Sequence, residues 1–196
     1  MNLQNVEFVR SAADQASFPL DGIPQVAFAG RSNVGKSSVL NRVLNRKKMA
    51  YVGSTPGKTV HVNYFLVDRR LYLVDLPGYG YAQVSKQERQ RWARLMEAYF
   101  ASDQLTLGVL IVDARHKPTA QDREMADFFA ASGRDWVVVA NKLDKLKARE
   151  VEPNLDLIRQ TLALEERVDL IPFSALKGTG RDLLVSRIVN CANQQA

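Results

Sequence analysis

The chain has 196 residues, 46% of them hydrophobic, a single cysteine and a formal net charge of +6. That length suits one domain with a proper core, and no apolar run approaches the roughly 18 residues needed to span a membrane. The first residues carry no basic segment followed by a long apolar stretch, so no secretory leader is expected. The lone Cys191 excludes an internal disulfide and reads as a packing residue of the last helix, and a reducing cytoplasm is the expected setting. The positive balance has two readings, a solvated basic surface or a polyanionic partner such as RNA.

In chain order, residues 1–24 form an N-terminal extension. Residues 6–9 alternate like a short strand, and residues 18–24 read as a loop with two prolines and a glycine. Residues 25–196 then read as one nucleotide-binding domain. A strand over 25–29 leads into a glycine-bounded loop, and a helix is expected over 36–45. Residues 46–60 hold no period and are broken by Gly53, Pro56 and Gly57. A loop of that length in a compact domain is usually functional or mobile.

Residues 61–67 and 71–75, joined by Asp68-Arg69-Arg70, predict an antiparallel hairpin. Residues 76–82 form a second glycine-rich loop. Ser85 and Glu88 match a capping box opening a helix to residue 101, with Trp92, Leu95, Met96 and Tyr99 on its apolar face. Strands over 107–112, 136–140 and 170–173 then alternate with helices over 119–131, 147–164 and 180–193. The runs 108–112 and 136–139 are apolar without alternation, as parallel strands covered on both faces must be. The expected fold is α/β, a three-layer, doubly wound, mostly parallel sheet with one antiparallel strand.

The strongest motif is Gly30-Arg31-Ser32-Asn33-Val34-Gly35-Lys36-Ser37, which fits the Walker A pattern G-x-x-x-x-G-K-S/T between a strand and a helix. The glycines permit a tight path in which successive N–H groups face phosphate oxygens, and the helix N-terminus adds partial positive charge. Lys36 can reach the β- and γ-phosphates, and the Ser37 hydroxyl can bind Mg²⁺. Open parallel sheets take ligands at the carboxyl ends of their strands. At one such end stands Asp75-Leu76-Pro77-Gly78, a carboxylate placed for a Mg²⁺-bound water and an N–H placed for a γ-phosphate.

At another end stands Asn141-Lys142-Leu143-Asp144. The Asp144 carboxylate can accept from guanine N1–H and the N2 amino group, and adenine offers neither donor. Leaving such a carboxylate unpaired discriminates by up to about 10⁴–10⁵. The Lys142 stem can lie along the base, and Asn141 can tie this loop to the phosphate loop. After the last strand, Phe173-Ser174-Ala175, continuing into Leu176, offers N–H groups to guanine O6.

These motifs, in this order, resemble the Ras-like, translation-factor-related P-loop GTPases. Within that superfamily the chain closely resembles the EngB family of bacterial GTP-binding proteins, also called YihA or YsxC. The residues that carry the resemblance are the Walker A stretch through Ser38, Thr55-Pro56-Gly57-Lys58-Thr59, and Asp75-Leu76-Pro77-Gly78-Tyr79-Gly80-Tyr81-Ala82. Phe8-Val9-Arg10-Ser11-Ala12 is similar to the family's leading strand, and the likeness runs from about residue 6 to 190. Asn141 stands where many members carry threonine, although asparagine is the usual superfamily residue.

The resemblance implies a GTP hydrolase acting as a Mg²⁺-dependent switch in assembly of the large ribosomal subunit, with a role in cell division and septation. It makes Thr59 the switch threonine that joins Ser37 on Mg²⁺; by spacing alone Thr55 is a rival. Lys36, Thr59 and Gly78 are then the catalytic set.

Ras-type enzymes place a glutamine after D-x-x-G to orient water, and here that position is Tyr79. Slow intrinsic hydrolysis is expected, on the order of 10⁻⁴–10⁻² s⁻¹. Asn33 matches a loop position that in related GTPases accompanies K⁺ beside the phosphates; its plainer role is to shape the loop. The loops at 46–60 and 76–84 are expected to order with GTP and loosen with GDP. Lys86, Arg89, Arg91 and Arg94, with Arg46, Lys47 and Lys48, form either an rRNA-binding face or a solvated helix surface. A monomer is the default. Two rival classes are a metabolic P-loop kinase, disfavoured by Asn141–Asp144, and a pure RNA-binding module, for which no aromatic RNA motif is present.

Overall fold

The structure, a computed structural model, describes residues 1–46, 60–80 and 85–194. Lys47, Lys48, Thr55, Gly57, Lys58, Thr59 and residues 81–84, on which several expectations fall, lie outside the described residues.

Among the described residues seven strands form one sheet: β1 (Val6–Ala12), β2 (Gln25–Gly30), β3 (Val62–Val67), β4 (Leu71–Asp75), β5 (Leu105–Asp113), β6 (Asp135–Asn141) and β7 (Asp169–Pro172). Their order is β1-β3-β4-β2-β5-β6-β7. β3 pairs antiparallel with both neighbours and every other pairing is parallel, so β3 alone runs against the rest. The expected single antiparallel strand is therefore present. β1 runs further than residues 6–9. A bulge between Phe8 and Arg10 absorbs one residue, and Ser11 and Ala12 go on to pair with Asn63 and Val62.

Among the described residues five α-helices cover the sheet: α1 (Lys36–Val43), α2 (Lys86–Ala101), α3 (Ala120–Ala131), α4 (Ala148–Leu162) and α5 (Arg181–Gln194). Strand side chains alternate faces, and the core divides accordingly. Val26, Phe28, Val109 and Ile111 pack with α1 and α5 through Val39, Leu40, Leu184 and Ile188. Ala27, Ala29, Leu110 and Val112 pack on the other face with Met96, Tyr99, Phe129 and Ile158 of α2, α3 and α4. This is the three-layer, doubly wound α/β arrangement. Both faces of β5 and β6 are buried, which is why their sequences show no alternation.

Local chemistry sets the element ends. Ser85 and Glu88 close a reciprocal capping box at α2, and Thr119 and Asp122 do the same at α3. The three residues between β3 and β4 turn through Asp68 and Arg69, both left-handed (φ 52° and 55°), and the Arg70 amide closes the turn on the Val67 carbonyl at 3.0 Å. The Asp68 carboxylate accepts from the Asn2 amide at 2.9 Å, which ties the N-terminus to that turn. α1 stops at Val43, before the expected residue 45. The Arg181 guanidinium donates to the Arg42 and Val43 carbonyls at 2.9 and 3.1 Å and satisfies the helix end.

Candidate nucleotide site

β2, β4, β5, β6 and β7 run parallel, so their carboxyl ends share one edge of the sheet. The phosphate loop leaves β2 there. Gly35 has φ 94°, and a Cβ on it would meet Asn141 Nδ2 at 2.5 Å. That position is closed to any side chain by backbone conformation and by space. Asn33 is also left-handed, at φ 67°. Gly35 gives α1 no side-chain cap, so the first-turn amides are left to face the concavity of the loop.

Lys36 Nζ pairs with Asp75 Oδ1 from the end of β4, and both side chains are about nine-tenths buried. The Ser37 hydroxyl and the Asp75 carboxylate are hard oxygen donors of the type Mg²⁺ takes. Among the described residues no group of three His, Cys, Asp or Glu could cage a metal. A site completed by phosphate oxygens and water, as Mg²⁺ prefers, is therefore the arrangement these residues fit.

Two bonds join the phosphate loop to the loop after β6. Asn141 Nδ2 donates to the Val34 carbonyl at 2.9 Å, and Lys142 Nζ donates to the Asn33 carbonyl at 2.6 Å. The loop after β7 closes on the same residues. The Ala175 amide donates to Asn141 Oδ1 at 3.2 Å, Leu143 N donates to the Phe173 carbonyl at 3.0 Å, and Ser174 Oγ donates to Asp144 Oδ1 at 2.6 Å. The Ser174 bond, the leading influence, holds the Asp144 carboxyl below its ordinary pKa. Four of the five sequence-predicted stretches thus converge on one edge: Gly30 to Ser37, Asp75 to Gly78, Asn141 to Asp144, and Phe173 to Ala175; the fifth, Gly57 to Thr59, lies outside the described residues.

The second loop leaves β4 with Leu76 N donating to the Phe28 carbonyl at 3.0 Å, and Trp92 Nε1 of α2 donates to the Pro77 carbonyl at 3.1 Å. Gly78 follows, half-buried. Tyr79 makes a parallel bridge with Arg31, and Ser32 N donates to its carbonyl at 2.8 Å. The Tyr79 ring is buried against Trp92, and its hydroxyl donates to Asp122 Oδ1 of α3 at 2.9 Å. Burial first, and then the Asp122 charge, push the phenol pKa well above its ordinary value.

Several supporting residues escaped sequence reasoning. Arg42 of α1 donates to the Ala175 and Leu176 carbonyls at 2.6 and 2.7 Å and fixes the loop after β7. The Phe173, Ser174 and Ala175 amides that the sequence offers to guanine O6 are themselves engaged, by the Ala140 and Thr179 carbonyls and by Asn141 Oδ1. Asp113 ends β5 and contacts Lys142 at 2.9 Å. Its place directly after an apolar strand was the signal for it. On α2, Lys86, Arg89, Arg91 and Arg94 are exposed, and none forms an ion pair among the described residues. Arg91 and Arg94, with Gln87 and Gln90, line a groove of about 490 Å³ against Ala13, Asp14 and Gln15. Among the described residues no helix is long and apolar enough to cross a membrane.

Comparison with known proteins places the chain among GTP-binding proteins. A family profile described as 50S ribosome-binding GTPase matches residues 25–142. The chain is 43% identical over 195 residues to a probable GTP-binding protein EngB of Clostridioides difficile (strain 630), covering 99% of this chain and 96% of that protein. It is 46% identical over 189 residues to the corresponding protein of Clostridium beijerinckii, covering 96% of each. Among solved structures, a probable GTP-binding protein engB superposes with a TM-score of 0.70 at 25% identity, over 87% of this chain and 99% of that one. Era in complex with MgGDPNP and a segment of 16S ribosomal RNA superposes with a TM-score of 0.61 at 26% identity, over 86% of this chain and 56% of that one.

Proposed function

Because this chain belongs to the EngB family of GTP-binding GTPases, we propose that it is a Mg²⁺-dependent switch in assembly of the large ribosomal subunit, on which normal cell division and septation depend. The observation that carries the nucleotide part is the double tie from Asn141 and Lys142 to Val34 and Asn33. It locks the guanine-reading loop to the phosphate loop at a fixed separation, as one guanine nucleotide spanning both requires. The ribosomal part rests on the family's description as 50S ribosome-binding and on the exposed arginines of α2.

In this reading Gly30 to Gly35 cradle the phosphates with backbone amides, and Lys36 neutralises β- and γ-oxygens. Asp144 reads guanine N1–H and N2, Lys142 walls the base, and the Ala175 region faces O6. Mg²⁺ held by Ser37 and Thr59 would neutralise charge developing on the β- and γ-oxygens. Gly78 offers its N–H to the γ-phosphate. The Tyr79 hydroxyl is committed to Asp122, so the side chain directly after Gly78 does not orient water, and hydrolysis is slow until a partner supplies that group. The Asn33 carbonyl is engaged by Lys142, so any K⁺ contact falls to its side-chain oxygen; faster hydrolysis in K⁺ than in Na⁺ is the expected sign. The protein works as a cytoplasmic monomer, with Lys86, Arg89, Arg91 and Arg94 presented to rRNA.

The test is titration with fluorescent GDP, GTP and ATP in Mg²⁺, followed by co-sedimentation with large subunits in each nucleotide state. Guanine-only binding and GTP-dependent sedimentation, lost when Lys86, Arg89 and Arg94 are changed to Glu, are expected. Comparable ATP binding would overturn the guanine assignment. Sedimentation indifferent to the charge reversal would overturn the RNA face.

A further inference from the structure

Asp113 is a buried carboxylate that none of the sequence motifs claims. It is the last residue of β5, and the register of the parallel pair sets it opposite Asn141, one residue before Lys142. Its Oδ1 accepts from the Arg115 amide at 3.1 Å and from Arg115 Nε at 2.9 Å. Its Oδ2 accepts from Arg115 Nη2 at 2.7 Å and from Lys142 Nζ at 2.9 Å. The same Lys142 ammonium donates to the Asn33 carbonyl at 2.6 Å. Lys142 itself is left-handed, with φ 70°.

We infer that Asp113 is a positioning residue for guanine-nucleotide binding, which anchors the Lys142 ammonium beside the phosphate loop so that the Lys142 stem stands fixed as the wall of the base site. The inference rests on the reading of Asn141 to Asp144 as that base site. A lysine stem samples many rotamers, and immobilising it when the base arrives opposes binding. Two acceptors in fixed directions remove that cost beforehand. The Arg115 fork orients the anchor in turn. Burial alone would raise the Asp113 pKa, but hydrogen bonds from Arg115 and Lys142 outweigh it and hold the carboxyl well below the usual range. The anchor is therefore an anion at any working pH.

Asp113 also closes a local turn, because its Oδ1 takes the Arg115 amide two residues on. Asp113→Asn separates the two roles. Asparagine keeps the turn acceptor and the shape, and removes the charge that Lys142 answers.

The experiment measures equilibrium affinity and dissociation rate of fluorescent GDP and IDP for the full chain, its Asp113→Asn, Asp113→Glu and Lys142→Met variants, and the Asp113→Asn/Lys142→Met double variant. Asp113→Asn is expected to weaken GDP about tenfold, mainly by faster dissociation. IDP should weaken by the same factor, because Asp144 still reads the N2 amino group. Asp113→Glu, with its charge one methylene further out, should fall between wild type and Asp113→Asn. The double variant should be no weaker than Lys142→Met alone. Wild-type affinity in Asp113→Asn, weaker binding by Asp113→Glu than by Asp113→Asn, or multiplying losses in the double variant would overturn the positioning role and leave the base site standing. Wild-type affinity in Lys142→Met would likewise overturn the positioning role, whereas equal affinity of the wild type for GDP and IDP would remove the base site.

Discussion

The Ser174 hydroxyl donates to one oxygen of Asp144 at 2.6 Å and accepts the Lys177 amide at 3.0 Å. A fully buried serine thus aims the carboxylate proposed to read guanine. Ser174→Ala should speed GDP dissociation about tenfold in stopped-flow measurements. The pH profile should move with it. A lowered folded-state pKa means that the ionised carboxylate contributes above the ordinary Asp range and is lost only as pH falls through the lowered value. Acid loss of GDP affinity should therefore begin at a higher pH in Ser174→Ala than in wild type. Overlapping profiles would separate Ser174 from Asp144.

Lys36 and Asp75 form a mostly buried ion pair, and removing one partner strands the other. Lys36→Ala should abolish detectable nucleotide binding and lower unfolding stability by about 3 kcal/mol. Adding Asp75→Asn should recover much of the stability in urea denaturation and none of the binding. Recovery of both would mean that Lys36 acts only through Asp75.

Tyr79 should matter to stability more than to chemistry. Its phenol stays a neutral donor at working pH because burial and Asp122 raise its pKa. Tyr79→Phe leaves Asp122 Oδ1 without this donor and should destabilise by about 1–2 kcal/mol, read by thermal melting. Single-turnover GTP hydrolysis should change little. A fall of about 10²-fold, the size of a lost proton-transfer group, would place the phenol in the reaction.

Gly108 serves the fold alone. A Cβ there would meet the Phe129 ring at 2.4 Å, so Gly108→Ala overpacks the contact between β5 and α3. The expected cost is about 2 kcal/mol in urea unfolding, with GDP affinity intact. A large loss of affinity would show that strain at this contact reaches the strand's far end.

Features legible in the sequence were those whose physics is local. The capping box at Ser85 joins residues three apart, so its chemistry is spelled out in one helical turn. The Walker A loop is a backbone shape that Gly30, Gly35 and the following helix enforce together. The hairpin of β3 and β4 was readable from two apolar runs around Asp68-Arg69-Arg70, although neither asparagine nor glycine marks its left-handed turn. Alternation alone stopped β1 at residue 9, because the bulge that lets it reach Ala12 exists only against β3; the family resemblance over Phe8 to Ala12 carried it further.

By itself, the sequence determined that this chain folds as a doubly wound α/β domain and that its phosphate, D-x-x-G and N-K-x-D stretches each follow a strand. Periodicity and glycine placement suffice for that, since strands buried on both faces admit few other sheets. Apart from the Asn141 tie, only the tertiary structure decided which side chains hold those stretches in place. Asp113 meets Lys142 through the β5–β6 register, Arg42 meets the Ala175 carbonyl across 133 residues of chain, and Tyr79 turns to Asp122 rather than toward the site. Such contacts join charges and hydroxyls far apart in sequence. Their partners are fixed by strand order and helix packing, which no local pattern of residues records.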